Sequence, residues 1–198
     1  MLTYEHLRAT RLRYVSIDMT YAELPPQCCA AAIVNDGSCD VDALLADVVR
    51  LQVGQGLRVR GLVLSRDAVA PGCQAAMVLQ DIDTAEQYLV SQPLGGGSKS
   101  CRGDPQGFAR ASQVLRRALD EEPDLIVSNR FGGLEATGGG LRAELLELMS
   151  RGVPLLTVVA PRYLEAWRDF AGTSTELPPD RAAIDAWLET VVGPRPHE

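Results

Sequence analysis

The sequence predicts an α/β protein built on a mostly parallel, doubly wound sheet with a small antiparallel excursion. Three observations carry this. Short apolar segments alternate with segments of helical spacing from Cys28 onward, which is the signature of βαβ units. The runs after Cys28 and after Pro123 are continuously apolar rather than alternating, as parallel strands covered on both faces are. The chain has 198 residues, 46% of them hydrophobic and 23% charged, enough to bury a sizeable core around one sheet. Because the regular pattern starts at Cys28, residues 1–27, which end at Pro25-Pro26, read as an N-terminal appendage and residues 28–198 as a single α/β domain.

Each element follows from local signals. Cys29 to Val34 is a short apolar run and reads as a buried strand; Asn35 to Asp40 is turn-rich. Val41, Leu44, Leu45, Val48, Val49 and Leu51 recur at helical spacing, and Gly54 and Gly56 close that helix. Leu57–Ser65 alternates as a strand, and Ala75–Asp81 and Gln87–Ser91 read as two short strands of a hairpin or meander. Pro93–Gly103 is a glycine/serine loop. Asp104-Pro105 is a helix start, with Asp at the N-cap and Pro at the first helical position. Leu125–Ser128 is a buried strand, Phe131–Gly140 a second glycine loop, and Leu155–Ala160 the last clear strand. Helices are expected near Arg162–Phe170 and Asp180–Val192, with Trp167 and Trp187 packing in the core.

Composition narrows the chemistry. Lys+Arg number 19 against 26 Asp+Glu, a net charge of −7, which does not suit a nucleic-acid binder needing a basic face. The histidines are His6 and His197, at the two ends, so histidine-based triads and metal sites are not expected in the body of the domain. Five cysteines without framework spacing suggest reduced thiols and a cytoplasmic setting. The apolar runs are shorter than the ~18–20 residues of a spanning helix, so no membrane partner is expected. A homo-oligomer is left open. Cys39, Cys73 and Cys101 fall in loops where thiols could converge on a soft metal, but no C-x-x-C pair supports a zinc site.

Ligands of open α/β sheets bind beyond the carboxyl ends of the strands. Asn35–Asp40, Gly95–Asp104 and Asn129–Gly140 are the loops expected there. In the second, Gly96, Gly97, Ser98, Lys99, Ser100, Cys101, Arg102 and Asp104 combine flexible backbone, two hydroxyls, the chain's single lysine, an arginine and a helix start. Such a set suits an oxyanion. The phosphate-loop pattern G-x-x-x-x-G-K-[ST] fails here, because Pro93 and Ser98 stand at its glycine positions. In the third loop Asn129, Arg130, Phe131, Gly132 and Glu135 follow an apolar strand, as the residues after a Walker B strand do.

The order of elements from Cys28 to Val159 resembles the small nucleoside-triphosphatases of the P-loop class. The closer resemblance is to an uncharacterised bacterial family of that superfamily, often encoded near molybdate-transport genes. It shares the C-R-x-D element, Cys101-Arg102-Gly103-Asp104, and the segment N-R/K-F-G-x-x-E-A-x-G-x-G-L-R, Asn129 to Arg142; the likeness covers most of residues 28–172. It implies a P-loop NTPase-like fold. The departures matter for activity. The phosphate loop should lie at Asn35–Asp42, which has no lysine and three aspartates, and Asn129 and Arg130 stand where the Walker B acid and the following glutamate should be. Those three acids would repel a triphosphate, and the groups that hold phosphate and magnesium are missing. The expectation is therefore a protein that binds a small anionic ligand without ordinary nucleotide hydrolysis. The gene association makes molybdate, or another oxyanion or anionic cofactor, a candidate. The alternatives are a divergent nucleotide hydrolase or transferase using Lys99, and a regulatory or assembly protein with a vestigial site.

Overall fold

The computed structural model describes residues 29–65, 77–93 and 101–192. The N-terminal appendage, Cys73 and the glycine run containing Gly96, Gly97, Ser98, Lys99 and Ser100 lie outside the described residues. In chain order the elements are β1 (Ala30–Val34), α1 (Val41–Gly54), β2 (Val59–Leu64), β3 (Val78–Asp81), β4 (Gln87–Leu89), β5 (Ser91–Pro93), β6 (Cys101–Gly103), α2 (Pro105–Asp120), β7 (Leu125–Phe131), α3 (Gly133–Ala136), α4 (Arg142–Ser150), β8 (Leu155–Val159), a 3-10 turn (Pro161–Tyr163), α5 (Leu164–Ala171), β9 (Thr175–Leu177) and α6 (Arg181–Val192). The described strands form a seven-stranded sheet ordered β4-β3-β2-β7-β8-β1-β9, with β5-β6 as a separate ribbon. β2, β7, β8, β1 and β9 run parallel; β3 and β4 are the antiparallel excursion. The fold is the mixed, mostly parallel α/β sheet expected, consistent with a P-loop-like arrangement.

The strands show why the apolar runs are continuous. Along β1, Ala30 and Ala32 enter one core while Ala31 and Ile33 enter the other, because successive side chains point to opposite faces. The first core holds Leu115 of α2, Leu145 of α4 and Trp167 of α5; the second holds Leu45 of α1 and Trp187 of α6. Burying each such large apolar side chain is worth about 1.5–3 kcal/mol. β2 meets β7 closely enough to require a glycine. Gly61 has φ +124, and a Cβ there would run into the Val127 carbonyl.

The chain's path sets the ligand edge. From β1 the chain crosses past β8 and β7 to β2, while from β8 it turns back past β1 to β9. The connections diverge at the carboxyl ends of β1 and β8, the usual crevice of such sheets. There the Asn35 N–H donates to the Val159 carbonyl at 2.8 Å. β3 begins beside the carboxyl end of β2, with Leu64 opposite Leu79, so the excursion delivers Met77 and Leu79 to the same edge.

Several details differ from the sequence expectations. The ends of the glycine/serine loop are strands, with Ser91 opposite Gly103 and Gln92 opposite Arg102, and the Asp104 N–H closes this ribbon onto the Val90 carbonyl at 2.8 Å. β7 continues past Ser128 to Phe131, with a register break between them. Phe131 is drawn inward by Trp167 and Phe170, each at a ring-centroid distance of 5.3 Å. The second glycine loop contains the short helix α3. The helix expected from Arg162 begins as a 3-10 turn at Pro161, where the ring fixes φ and removes a donor. β9 carries no apolar run to announce it. Its three residues are strand because β1 offers them a parallel partner.

A buried charge ties the excursion to α2. The fully buried Asp81 accepts from the Asp83 N–H at 2.9 Å, the Thr84 hydroxyl at 2.8 Å and Arg117 Nη2 at 2.5 Å. Burial pushes its carboxyl up, but these hydrogen bonds and the guanidinium outweigh that and hold it below the ordinary value. Its stabilising contribution is therefore complete above the unfolded value of 3.8 and disappears as pH falls through the lower folded value. Asp81→Asn is expected to cost roughly 2 kcal/mol at neutral pH. In urea titrations from about pH 5 down to about pH 2, the variant should lose less stability than the parent chain.

Candidate functional site

The loop after β1 stands where a phosphate loop would stand, and its own side chains occupy its backbone donors. The Gly37 N–H donates to Asn35 Oδ1 at 3.1 Å, the Ser38 N–H to Asp36 Oδ1 at 2.9 Å and the Ala43 N–H to Asp40 Oδ1 at 3.0 Å. The hydrogen bonds from Ser38 hold the exposed Asp36 carboxyl below its ordinary value. Asp40 is the N-cap of α1. These three N–H groups, of the kind that would cradle phosphate oxygens in a phosphate loop, are thus answered by the loop's own side chains.

Asp42, in the first turn of α1, meets the end of β7. Its Oδ1 accepts from Asn129 Nδ2 at 2.8 Å and from Arg130 Nη2 at 2.8 Å, and its Oδ2 accepts from the same Arg130 nitrogen at 3.0 Å. Both partners of this ion pair are only partly exposed, 31% for the Arg130 side chain and 21% for Asp42. Arg130 therefore reaches the expected ligand edge already neutralised. Asn129 and Arg130 at the end of β7 thus close onto Asp42 at the start of α1.

Glu135 builds the glycine loop. It is only 3% exposed. Its Oε2 accepts from the Gly132 N–H at 3.0 Å and its Oε1 from the Leu141 N–H at 3.1 Å. Gly140 sits beside it at φ +60, where a Cβ would collide with the carboxylate. Arg142 donates to the Glu135 carbonyl at 3.2 Å and lies 4.5 Å over the Phe170 ring. The long Asn129–Arg142 motif thus encodes a stapled turn.

Around that turn is a cavity of about 440 Å³. Its walls are Met77 and Leu79 from the excursion, Gly103 and Phe108 beside α2, Asn129 and Arg130 from β7, Gly132, Gly133, Leu134, Glu135 and Leu141 from the stapled turn, and Arg162 and Tyr163 after β8. The approach is close on the far side: a Cβ at Gly133 would lie 2.9 Å from Tyr163 Oη. Arg162 is exposed, lies 4.9 Å from the Tyr163 ring centre and has no carboxylate partner among the described residues. Asn129 is 2% exposed, and its Oδ1 is buried without a hydrogen-bond partner among the described residues.

The expected site residues divide accordingly. Asn129, Arg130, Gly132 and Glu135 come together on the cavity wall. Phe131 faces the aromatic core instead. Asp104 caps α2, accepting from the Gln106 and Gly107 N–H groups at 3.2 and 3.1 Å. Arg102 is exposed on the ribbon; in the amide orientation that satisfies both groups, Gln92 Oε1 accepts from its Nε and Nη2 at 3.0 and 3.2 Å. The strand of Cys101 is described but its side chain is not. Cys39 is exposed, its thiol 3.6 Å from the Pro179 carbonyl, and no metal-holding cluster occurs among the described residues. Sequence reasoning missed Asp42, Arg162, Tyr163, Met77 and Leu79. Only Asp42 had a usable signal, as an acid at the expected phosphate loop facing an Asn-Arg pair at a strand end.

The staple yields a stability test. Glu135→Gln keeps the shape but replaces one acceptor oxygen with a donor facing a backbone N–H. It is expected to lower unfolding stability by about 1–3 kcal/mol, measurable as a shift in the urea midpoint. An unchanged midpoint would contradict the structural role given to Glu135.

The chain is 38% identical over 173 residues to a molybdenum import ATP-binding protein, ModC 2, of Bradyrhizobium diazoefficiens. The match takes in 87% of this chain but 19% of that protein, so the chain spans a small part of its relative's length. No solved structure is similar enough to count as a match. The sequence profile of the family described as "Protein of unknown function (DUF2478)" matches residues 30–187, from β1 into α6, and the chain belongs to that family.

Proposed function

We propose that the chain binds a small anion or anionic cofactor in the cavity at the carboxyl edge of β7 and β8, without ordinary nucleotide hydrolysis. The observation that carries this reading is the charge balance of the cavity wall. Its one carboxylate, Glu135, has both oxygens engaged by backbone N–H groups. Its two cations are Arg130, neutralised by Asp42, and Arg162, which has no carboxylate partner among the described residues. The wall's formal charges balance, but the Glu135 oxygens are turned to backbone N–H groups while the Arg162 guanidinium is exposed, and a guanidinium is well shaped for an oxyanion.

The loop after β1 argues against hydrolysis. The Gly37, Ser38 and Ala43 N–H groups are already bonded to side chains of the loop, and Asp42 and its neighbours put negative charge where phosphates would lie. Stabilising a transferring phosphoryl group needs cations and donors in that position. The name of the ModC 2 relative, a molybdenum import ATP-binding protein, adds molybdate and adenine nucleotides to the ligands worth testing, and the sequence offers Lys99 and Arg102 as further charges near the ribbon.

Thermal-shift titration of the full chain with molybdate, phosphate and ATP tests this. A saturable rise in melting temperature is expected with at least one of them. Arg162→Ala, a change at an exposed residue, should weaken that binding roughly tenfold, about 1.4 kcal/mol, with little change in the unliganded melting temperature. No shift with any anion, or an identical shift in Arg162→Ala, would overturn the reading. Sustained ATP turnover with magnesium would overturn its non-hydrolysing part.

A further inference from the structure

We infer that the ligand of this cavity is an organic anion with a compact apolar body and its charge at one end, rather than a bare inorganic oxyanion. This rests on the anion-binding reading above and names the ligand class of the same site. Three observations carry it. The first is size. A cavity of about 440 Å³ falls among sites for organic ligands, roughly 300–1,000 Å³, and far exceeds a tetrahedral oxyanion. The second is the make-up of the wall. Half-buried Met77 and Leu134 line it, together with buried Leu79, Phe108 and Leu141. A bare oxyanion set against these side chains would lose hydration without compensation. An apolar body gains free energy from the same contact.

The third observation is where the charge stands. Arg162 is exposed, whereas the apolar lining is half-buried or buried, so the cation lies toward solvent and the apolar surface lies within. The Arg162 guanidinium sits over the Tyr163 ring, 4.9 Å from its centre. The ring attracts the cation and brings no counter-charge to neutralise it. Glu135 has both oxygens turned to backbone N–H groups, and Arg130 is paired with Asp42. A ligand with an anionic head at Arg162 and an apolar body against Met77 and Leu134 satisfies both parts of the wall at once.

Isothermal titration of the full chain with five probes tests this. Acetate, benzoate and 2-naphthoate carry the same carboxylate on bodies of increasing size, 2-naphthamide is the neutral counterpart of the last, and inorganic phosphate is the bare oxyanion. The comparison requires no change to the protein. Affinity should rise along the carboxylate series, with 2-naphthoate at least about tenfold tighter than acetate or phosphate. The amide should bind at least about tenfold more weakly than 2-naphthoate. Arg162→Ala should abolish most of the advantage of the acid over the amide. Leu134→Ala should weaken 2-naphthoate about fivefold and leave phosphate unchanged. If 2-naphthoate is no tighter than phosphate, is matched by the amide, or keeps its affinity in Arg162→Ala or Leu134→Ala, this inference falls. Arg162-dependent binding of phosphate would then leave the anion site standing. If none of the five binds, and neither molybdate nor ATP shifts the melting temperature, both fall.

Discussion

The carboxylate of Asp42 joins the first turn of α1 to the end of β7 through Asn129 and Arg130. This contact crosses the carboxyl edge of the sheet where the chain's connections diverge. It fixes the Asn129 amide with its nitrogen turned toward α1, and it holds Arg130 back as a paired charge. It also places a carboxylate beside the loop that a triphosphate would have to enter. A paired charge of this kind contributes less to stability than to arrangement, since desolvation offsets much of its attraction. Its consequence is positional: it fixes the Asn129 and Arg130 side chains beside the first turn of α1.

A second constraint acts from the opposite side. Glu135 engages the Gly132 and Leu141 N–H groups and holds the glycine-rich turn in one shape. The flexibility suggested by so many glycines is thereby removed, and α3 and Leu134 become a wall. The excursion supplies the facing wall, and Asp81 secures it by linking the end of β3 to Arg117 of α2. Two buried carboxylates, Glu135 and Asp81, thus shape the cavity, and Glu135 has both oxygens turned to backbone N–H groups. Arg162, on the turn after β8, is left as the exposed cation.

Much of the fold was legible in the sequence because its signals are local. Continuous apolar runs marked β1, the start of β7 and β8, helical spacing marked α1, and Asp104-Pro105 marked the start of α2. The same reasoning failed where an element exists only through a partner. β9 is three residues long and forms because the edge of β1 is available. β7 runs on through the polar Asn129-Arg130 pair because Phe131 is pulled into the aromatic cluster with Trp167 and Phe170. The second motif was visible as a string, with Glu135 read as a ligand contact; its two hydrogen bonds across the turn are seen only in the structure.

By itself the sequence determined the α/β class and, after β1, a loop with three aspartates and no lysine. These depend on composition, periodicity and residue identity, which need no partner to be read. Tertiary structure decided which of those polar residues remain open. Asp42 lies 87 positions from Asn129 and cancels the charge of Arg130, while Arg162, unremarkable in the sequence, enters the cavity from the turn after β8. The physical reason is that a charge's availability depends on what the fold brings within hydrogen-bonding distance of it. No linear spacing encodes that distance between residues so far apart in the chain.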